Sequence, residues 1–503
     1  MENNSYSDLR KALLEIAYLG HVSTLLDWDM EINLPKCGHK IRAEVMGYVA
    51  GLKHGKFTSR EFEEILMRAV EFEKGGKLNG EDSFIILKTL SDFEKARKLP
   101  SEFVEESAKL CGEAYDVWVN ARAKSDFSLF EPYLSRIVTS KRQEAEYIGY
   151  AGSPYDALMD DYEPGITCET IFETFDQLKK FLVPFIEKIK HSRVSINREF
   201  LTRIFPIEKQ DELTRMVVRA MGFDFEKGRL DVTVHPFCTS LHPADVRIAT
   251  RFDEKDFLNQ AFMGAIHEAG HGLYEQGLRE EYFGTPMGEA ISLGIHESQS
   301  RMWENLIGRS LSFCIYIFSK LQENFPKQLN GVSPEQFYKA INFVKPGFIR
   351  VDADEVTYNL HVIFRVEMER DLIEGNLEVK DCPSVWNRKV KECFGLDVPD
   401  DARGILQDVH WSCGLMGYYH TYSLGNIYSA QLNHAAHAQI PGLEVQIAKG
   451  EFLGLREWLR KNIHVHGELY LPEHLILRVT GEKPSPKYFI DYLNKKYSEI
   501  YEL

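Results

Sequence analysis

The chain has 503 residues, of which 44% are hydrophobic and 27% are charged, a composition typical of a globular protein with a large core. Its net charge of −16 argues against nucleic-acid binding and against docking on anionic membranes, because an acidic surface repels phosphate groups. The longest apolar runs are far shorter than the roughly 20 residues that cross a bilayer, so we expect no membrane partner.

Helical periodicity dominates the chain. Apolar residues recur at spacings of three and four in seven segments, a pattern that places them on one helical face. It predicts helices at residues 9–26, 103–121, 167–191, 213–221, 257–276, 313–325 and 356–373. Pro184 lies inside the third of these segments, where a proline can kink a helix.

Residues 229–252 show the alternation of a strand instead. Val232 and Val234, and then Val246 and Ile248, alternate with polar residues, and the Leu-His-Pro at 241–243 between the two runs predicts a turn. We therefore expect a mostly α-helical fold, with one large helical body and a small β-sheet just before the helix at 257–276. Eight scattered cysteines without a CxxC pair, and the lack of an evident secretory signal, favour a cytoplasmic location.

The helix at 257–276 contains the pentad His267-Glu268-Ala269-Gly270-His271. Two histidines at i and i+4 lie one turn apart on the same helical face, so both imidazoles can reach one metal ion. The glutamate next to the first histidine can accept a proton from the water that the metal activates, as in the HExxH signature of zinc peptidases. The alternative is a pair of core histidines hydrogen-bonded to their neighbours.

A catalytic zinc site needs a third protein ligand and an open position. Glu297 lies 26 residues after His271, about one helix and one loop downstream, which matches a His₂Glu site. The rival class has a third histidine in a short glycine-containing stretch, but no histidine follows Gly277 until His296. The predicted metal ligands are therefore His267, His271 and Glu297.

Further motifs extend over most of the chain in order. They are His235-Pro236-Phe237, Asp245-Val246-Arg247 with Thr250, His296-Glu297-Ser298-Gln299, Ile349-Arg350 through Ala353-Asp354, and Gly404 through Gln407-Asp408-Val409-His410-Trp411. Trp28 with its two aspartates, the segment 155–165 and the segment 479–482 add to them. Together they resemble the thermostable carboxypeptidase Taq family, peptidase family M32.

This resemblance implies a zinc metallocarboxypeptidase of the cytosol, in which residues 1–503 form a single domain. The implied fold is mostly α-helical with a deep active-site groove, similar to neurolysin and angiotensin-converting enzyme. The implied cofactor is Zn²⁺, which Co²⁺ could replace. The implied partners are peptides with a free C-terminus and a second copy of the chain in a homodimer. The family has broad specificity and releases proline poorly.

The chain departs from the family pattern at one place. Where the family usually has Phe-Pro-Thr-Tyr, this chain reads Tyr419-His420-Thr421-Tyr422. Losing the proline removes a fixed φ and adds a titratable ring, which puts the local substrate preference or loop shape in doubt.

The expected catalytic residues are Glu268 as general base and acid, and Tyr422, Tyr418 or His410 as a donor to the developing oxyanion. A tyrosine packed with its hydroxyl hydrogen-bonded would be equally common. Arginine binds a carboxylate with two parallel hydrogen bonds, so Arg350 is the first candidate for the substrate's C-terminal carboxylate and Arg247 the second.

Other polar residues have weaker assignments. His235 is also expected to contact substrate. Asp245, Asp354 and Asp408 could orient ligands or arginines, or cap helices. Two histidine pairs, His434 with His437 and His464 with His466, lack a suitably spaced acidic or cysteine partner and are interpreted as structural.

Two rival functions remain open at this point. An endopeptidase or a dipeptidyl-carboxypeptidase on the same scaffold would share the zinc chemistry and differ in the carboxylate site. A non-catalytic helical binding protein would retain only a relic of the site, and the intact Glu268 and ligand set argue against it.

Overall fold

A computed structural model describes residues 4–76, 78–233 and 235–503. In these ranges, nine α-helices precede a small sheet: α1 (Asn4–Ile32), α2 (His39–Phe57), α3 (Arg60–Glu73), α4 (Gly80–Lys98), α5 (Ser101–Lys124), α6 (Glu131–Ile148), α7 (Pro154–Met159), α8 (Cys168–Lys190) and α9 (Ile207–Met221). The sheet consists of β1 (Gly228–Val232), β2 (Phe237–His242) and β3 (Asp245–Thr250).

Eleven α-helices follow the sheet in the described part of the chain. They are α10 (Phe262–Gly277), α11 (Leu293–Arg301), α12 (Leu311–Asn324), α13 (Pro334–Ile341), α14 (Tyr358–Glu374), α15 (Cys382–Phe394), α16 (His420–Gln439), α17 (Leu443–Lys449), α18 (Leu453–Asn462), α19 (Pro472–Thr480) and α20 (Lys487–Tyr501). None of the described helices is both long enough and apolar enough to cross a bilayer.

The structure confirms the mostly helical fold, and each of the seven predicted helices coincides with an observed one. Helix α8 continues through Pro184. The predicted helix at 257–276 begins as a π-helical turn, Phe257–Ala261, which leads directly into α10. A second π-helical segment, Met302–Gly308, follows α11. Such segments often occur next to functional sites, and here they bracket the two helices that carry the predicted metal ligands.

The sheet has the order β1-β3-β2, with β1 parallel and β2 antiparallel to β3. Val232 ends β1, whereas Val234 lies outside the described residues. The predicted turn at 241–243 is displaced, because β2 extends to His242, which pairs with Asp245 after a bulge. The turn residues are Pro243 and Ala244. Strand β3 supports α10, so the sheet lies close to the pentad helix.

Two hydrophobic cores hold the described part of the chain together. The larger one spans α5 to α20. The smaller one joins α1, α3 and α4 through side chains such as Leu13, Leu66 and Phe93, and meets the rest of the chain at Met287. Helix α2 contributes little to either core, since Val49 is its one buried residue among those described.

Close helix packing brings the site elements together. A side chain on Gly270 would place its Cβ 2.7 Å from the Cα of Ser300, so α10 and α11 can pack this tightly only with glycine there. Gly425 of α16 does the same on the other side of α11, where a Cβ would overlap Glu297. The two glycines thus allow α11 to pack closely between α10 and α16. This close packing fixes the position of Glu297.

Candidate metal centre

The three predicted metal ligands converge on one point. His267 and His271 stand one turn apart on α10, and α11 brings Glu297 opposite them. The Oε2 atom of Glu297 lies 3.6 Å from Nε2 of His267 and 3.3 Å from Nε2 of His271. The three ligand atoms lie within 4.8 Å of one another, and within the described residues no other group of this kind was found.

Each ligand histidine is oriented by a hydrogen bond at its other ring nitrogen. Nδ1 of His267 lies 2.9 Å from Oε2 of Glu304. Nδ1 of His271 lies 2.5 Å from Nδ1 of His296, whose Nε2 lies 2.7 Å from Oε1 of Glu275. Both Nε2 atoms therefore point to the shared space, as metal-binding imidazoles need. Two imidazole nitrogens and one carboxylate form a donor set that suits zinc and other divalent transition ions.

The carboxylate of Glu297 is held ionised. Burial would raise its pKa, but the charge of Arg301, together with His267 and a hydrogen bond with His271, outweighs that effect and holds the pKa well below its usual range. Nε of Arg301 donates to Oε1 over 2.6 Å, and the Ser300 hydroxyl donates to Oε2 over 3.0 Å. Burial lowers the pKa of His271 to about 3, so this ring is neutral and able to bind a cation.

Glu268 differs from these residues because it makes no hydrogen bond or ion pair with any described side chain. It is 8% exposed and faces a cavity of about 770 Å³. Burial raises its pKa to about 7, against the opposing effect of His267. A carboxylate with a pKa near neutrality can both accept and return a proton, which is what a general base and acid must do.

The cavity unites most of the predicted site. Its lining includes the ligands His267 and Glu297, the base Glu268, and also Arg350, Tyr422 and His235. These residues come from segments up to 187 positions apart, yet face one space. His235 is exposed at its rim. A groove of this size can hold several residues of a peptide.

Arg350 is buried in the cavity wall and anchored from behind. Its Nε and Nη2 donate to Oδ1 of Asp408 over 3.1 and 2.9 Å, and its Nη1 donates to the Tyr358 hydroxyl over 3.0 Å. Arg365 donates to the other oxygen of Asp408 over 2.7 Å. The two arginines together hold the pKa of Asp408 well below its usual range, although burial opposes them. Asp408 therefore orients Arg350 rather than capping a helix.

The tyrosine and histidine candidates form one aromatic cluster. The Tyr422 hydroxyl lies 3.0 Å from Nε2 of His410, and the Tyr418 ring centre lies 5.4 Å from those of both. Tyr422 belongs to the cavity lining, whereas Tyr418 and His410 stand behind it among the described residues. Burial lowers the pKa of His410 to about 3, so its ring is neutral.

The departure from the family pattern falls at the first residue of α16. His420 is fully buried there, and burial lowers its pKa to about 3. Proline is favoured at this first helical position because its missing N–H is not needed. In this chain, α16 begins at this position with histidine.

Two other predicted residues are held by hydrogen bonds within the chain; Asp354 lines the cavity, whereas Arg247 does not. Arg247 is absent from the cavity lining: its Nε donates to Asp245 over 2.9 Å, and its guanidinium lies 4.3 Å from the centre of the Trp28 ring. Asp245 thus orients this arginine. Asp354 accepts hydrogen bonds from the N–H groups of Val356 and Thr357, which makes it a cap for the chain entering α14.

Sequence reasoning missed the carboxylates behind the ligands. Glu275 follows His271 by four residues and Glu304 follows Glu297 by seven. Helical spacing alone therefore puts each glutamate on the same helical face as a metal ligand. It also missed Glu163, a buried carboxylate that accepts hydrogen bonds from the Gly294 N–H over 3.0 Å and the Tyr428 hydroxyl over 2.9 Å. Glu163 secures the start of α11, and no local pattern marks it.

Comparison with known proteins gives one consistent family. The profile of the family described as carboxypeptidase Taq (M32) metallopeptidase matches residues 8–497. Carboxypeptidase 1 of Bacillus subtilis is 39% identical over 100% of both chains, and thermostable carboxypeptidase 1 of Thermus thermophilus is 40% identical over 99% of both. The crystal structure of the M32 carboxypeptidase from Deinococcus radiodurans R1 superposes with a TM-score of 0.96 at 39% identity, covering 99% of this chain and 100% of that one.

Proposed function

From the premise that the chain belongs to the carboxypeptidase Taq (M32) metallopeptidase family, and is therefore a metallocarboxypeptidase, we propose that it uses zinc to release single C-terminal residues from peptides. We further propose a broad specificity in which proline is released poorly. The observation that carries the proposal is the shared cavity, in which the ligand atoms of His267 and Glu297 face the same space as Glu268 and Arg350.

The proposed metal ligands are His267, His271 and Glu297. A zinc ion held there would lower the pKa of a bound water and polarise a carbonyl group. Glu268 accepts the proton of the attacking water and delivers it to the leaving amine. Its position beside His267, its lack of another partner and its raised pKa of about 7 support this role. Co²⁺ is expected to replace zinc with retention of activity, since it accepts the same donor types.

The chain's own groups also orient the substrate. Arg350 binds the C-terminal carboxylate with the N–H groups that Asp408 and Tyr358 leave available. The Tyr422 hydroxyl donates to the oxyanion that develops at the scissile carbonyl, supported from behind by His410 and Tyr418. His235 contacts the substrate at the rim. Arg247, which is held by Asp245 and Trp28, takes the role of a positioning residue beside the sheet.

The setting of the enzyme is part of the same proposal. We infer a cytoplasmic homodimer in which residues 1–503 of each copy form one catalytic domain. The family resemblance supports the dimer and the single domain, and the scattered free cysteines support the reducing compartment.

A peptide ladder tests the proposal directly. The purified chain is incubated with a peptide of about ten residues, with and without chelator, and with Zn²⁺ or Co²⁺ restored, and the products are weighed by mass spectrometry. Successive loss of single C-terminal residues, stopped by chelator and restored by either ion, is the expected result. Loss of residue pairs would identify a dipeptidyl-carboxypeptidase, and no cleavage with bound metal would identify a binding protein.

The C-terminal amide of the same peptide separates the remaining rival. A carboxypeptidase that recognises a free carboxylate leaves the amide largely intact, whereas an endopeptidase cleaves both peptides at similar rates. Equal cleavage of the two would overturn the carboxypeptidase reading.

A further inference from the structure

Most charged side chains in the cavity wall already have a partner of opposite charge. Glu304 pairs with His267 and Arg301, and Arg350 pairs with Asp408. Glu355 pairs with Lys496. Within the described residues, three cationic side chains of the lining make no ion pair: Arg198, Arg251 and Lys345. In a chain of net charge −16, a group of unpaired cations inside a cavity is a feature that needs a physical reason.

Arg198 is the most informative of the three because it is partly buried. Its Nε is shielded from solvent and makes no hydrogen bond with any described residue. Burial lowers its pKa, which reflects the free-energy cost of keeping this charge away from water. Arg251 and Lys345 are exposed at the rim, where water can compensate their charge.

The side chain of Arg198 is nevertheless held in place. The guanidinium carbon lies 4.7 Å from the centre of the Phe343 ring, which also lines the cavity. This cation–π contact holds the guanidinium against the ring, while its Nε makes no hydrogen bond within the described residues. An arginine that is oriented in this way loses little further side-chain entropy when it binds a planar anion.

The neighbouring carboxylates do not satisfy Arg198. Asp256 and Asp354 both raise its pKa through their charges, but neither forms an ion pair with it within the described residues. Asp354 is already committed to the backbone N–H groups of Val356 and Thr357. Asp352 stands at the exposed rim, where the charge of Arg251 acts on it. The nearby acidic groups therefore leave the positive charge of the Arg198 guanidinium without an ion-pair partner.

We propose that Arg198, stacked on Phe343, is a second anion-binding residue of the cavity and receives a carboxylate of the peptide substrate. The carboxylate is either the free C-terminus or the side chain of an acidic residue close to it, since both present the same planar pair of oxygens. This inference rests on the proposed peptide substrate. Arg198 contributes to substrate binding and to specificity. Cleavage of the peptide bond depends on Glu268 and the metal ligands.

The test compares Arg198→Gln and Arg198→Lys with wild type on two peptides with free C-termini, acetyl-Phe-Ala-Ala-Ala and acetyl-Phe-Ala-Ala-Glu. Arg193→Gln is the matched control, because Arg193 is an exposed arginine of the same segment outside the cavity lining. Loss of a charged hydrogen-bonding partner raises KM by roughly tenfold to a hundredfold in Arg198→Gln with little change of kcat. Arg198→Lys keeps the positive charge but loses the planar guanidinium that can form two parallel hydrogen bonds. Its KM therefore rises less than that of Arg198→Gln.

The two peptides identify which carboxylate is bound. A rise of KM on both peptides assigns Arg198 to the C-terminal carboxylate, and a rise on the Glu-terminated peptide alone assigns it to the side chain. KM values of Arg198→Gln within twofold of wild type on both peptides would overturn the inference. Thermal denaturation checks the folded state, and if Arg198→Gln is unfolded, an unchanged KM of Arg198→Lys overturns the inference instead.

Failure of the proposed function is distinguishable from failure of this inference. Wild-type release of single residues tests the function, independently of any Arg198 variant. If wild type releases none, calorimetric binding of acetyl-Phe-Ala-Ala-Glu to wild type and to Arg198→Gln still tests the inference. Affinity that is equal in the two proteins contradicts it, and affinity that falls by tenfold or more in the variant supports it.

Discussion

Two groups of charges face the same cavity, and they are treated in opposite ways. The metal cluster, consisting of His267, His271, Glu297, Arg301 and Glu304, has side chains that are only 8–16% exposed, and every member pairs with another. The unpaired cations, Arg198, Arg251 and Lys345, have no such partner within the described residues. A buried charge is costly unless it is compensated, so the difference separates groups that are built to hold position from groups that are available to a ligand.

Glu268 has features of both groups. It lies beside the metal cluster, but its charge is unpaired like the charges of the second group. It neighbours His267 yet has no hydrogen-bonding partner among the described residues. The comparison therefore makes a general claim about this protein: removing an unpaired charge changes activity or binding, and removing a paired one changes stability or the metal site.

The largest effect is expected for Glu268→Gln. The variant retains the shape of the side chain but has no carboxylate to accept a proton, so kcat should fall by roughly a hundredfold to ten-thousandfold while the metal stays bound. Activity assays and metal analysis of the same sample measure both quantities. Glu323→Gln, at an exposed position, is the control. Activity of Glu268→Gln close to that of wild type would remove Glu268 from the mechanism.

Asp408→Asn tests the opposite prediction for a paired charge. Asp408 is the carboxylate between Arg350 and Arg365, whose side chains are 6% and 0% exposed. Leaving two buried arginines without it should lower the free energy of unfolding by about 3–5 kcal/mol, measured by urea denaturation. Asp400→Asn breaks an exposed pair with Arg403 and should cost at most about 1 kcal/mol. Equal losses of unfolding free energy in Asp408→Asn and Asp400→Asn would contradict the claim that removing a buried paired charge lowers stability.

Glu163 offers a case between the two groups, a buried carboxylate with hydrogen-bond donors but no cation. Burial raises its pKa to about 7 from 4.5, so the folded protein keeps a proton that the unfolded chain releases. Its contribution to stability is present below pH 4.5 and is lost as the pH rises to 7, by about 3 kcal/mol. Glu163→Gln should flatten the pH dependence of unfolding over this range, whereas the exposed Glu71→Gln should not. An unchanged slope in Glu163→Gln would mean that this carboxylate is ionised in the folded protein.

The smallest effect is expected behind the metal ligands. His296 links His271 to Glu275, so His296→Ala should weaken metal binding by roughly tenfold to a hundredfold, as loss of such a partner does. Competition with a chromogenic chelator measures this affinity. His437→Ala, at a histidine paired with Glu444 away from the cluster, is the control. Metal affinity unchanged by His296→Ala would show that this chain of hydrogen bonds does not orient His271.

Much of this architecture follows from local sequence patterns. The helices are predictable because apolar spacing reports which face packs, and His267 and His271 are predictable because i and i+4 share a face. Glu297 needed only the further requirement of a third ligand. The contacts of these residues involve neighbours that are close in the sequence or that recur at helical spacing.

The remainder depends on contacts between distant segments. Arg247 stacks on Trp28, more than two hundred residues away, and no spacing rule predicts that this contact withdraws it from the cavity. Arg198 lies in an irregular segment before a short 3₁₀ turn, where no periodicity indicates the direction of its side chain. The displaced turn after β2 depends on a bulge that only the pairing with β3 creates.

The separate core of the N-terminal helices has a consequence for motion. Helix α2 buries one side chain among those described, and Ile41 and Tyr48 are 60% and 69% exposed. Segments with so few buried apolar contacts open at a much lower free energy than the whole molecule. In hydrogen–deuterium exchange, the amides of α2 should therefore exchange well before those of α10 and α16, and limited proteolysis should cut first near residues 39–57.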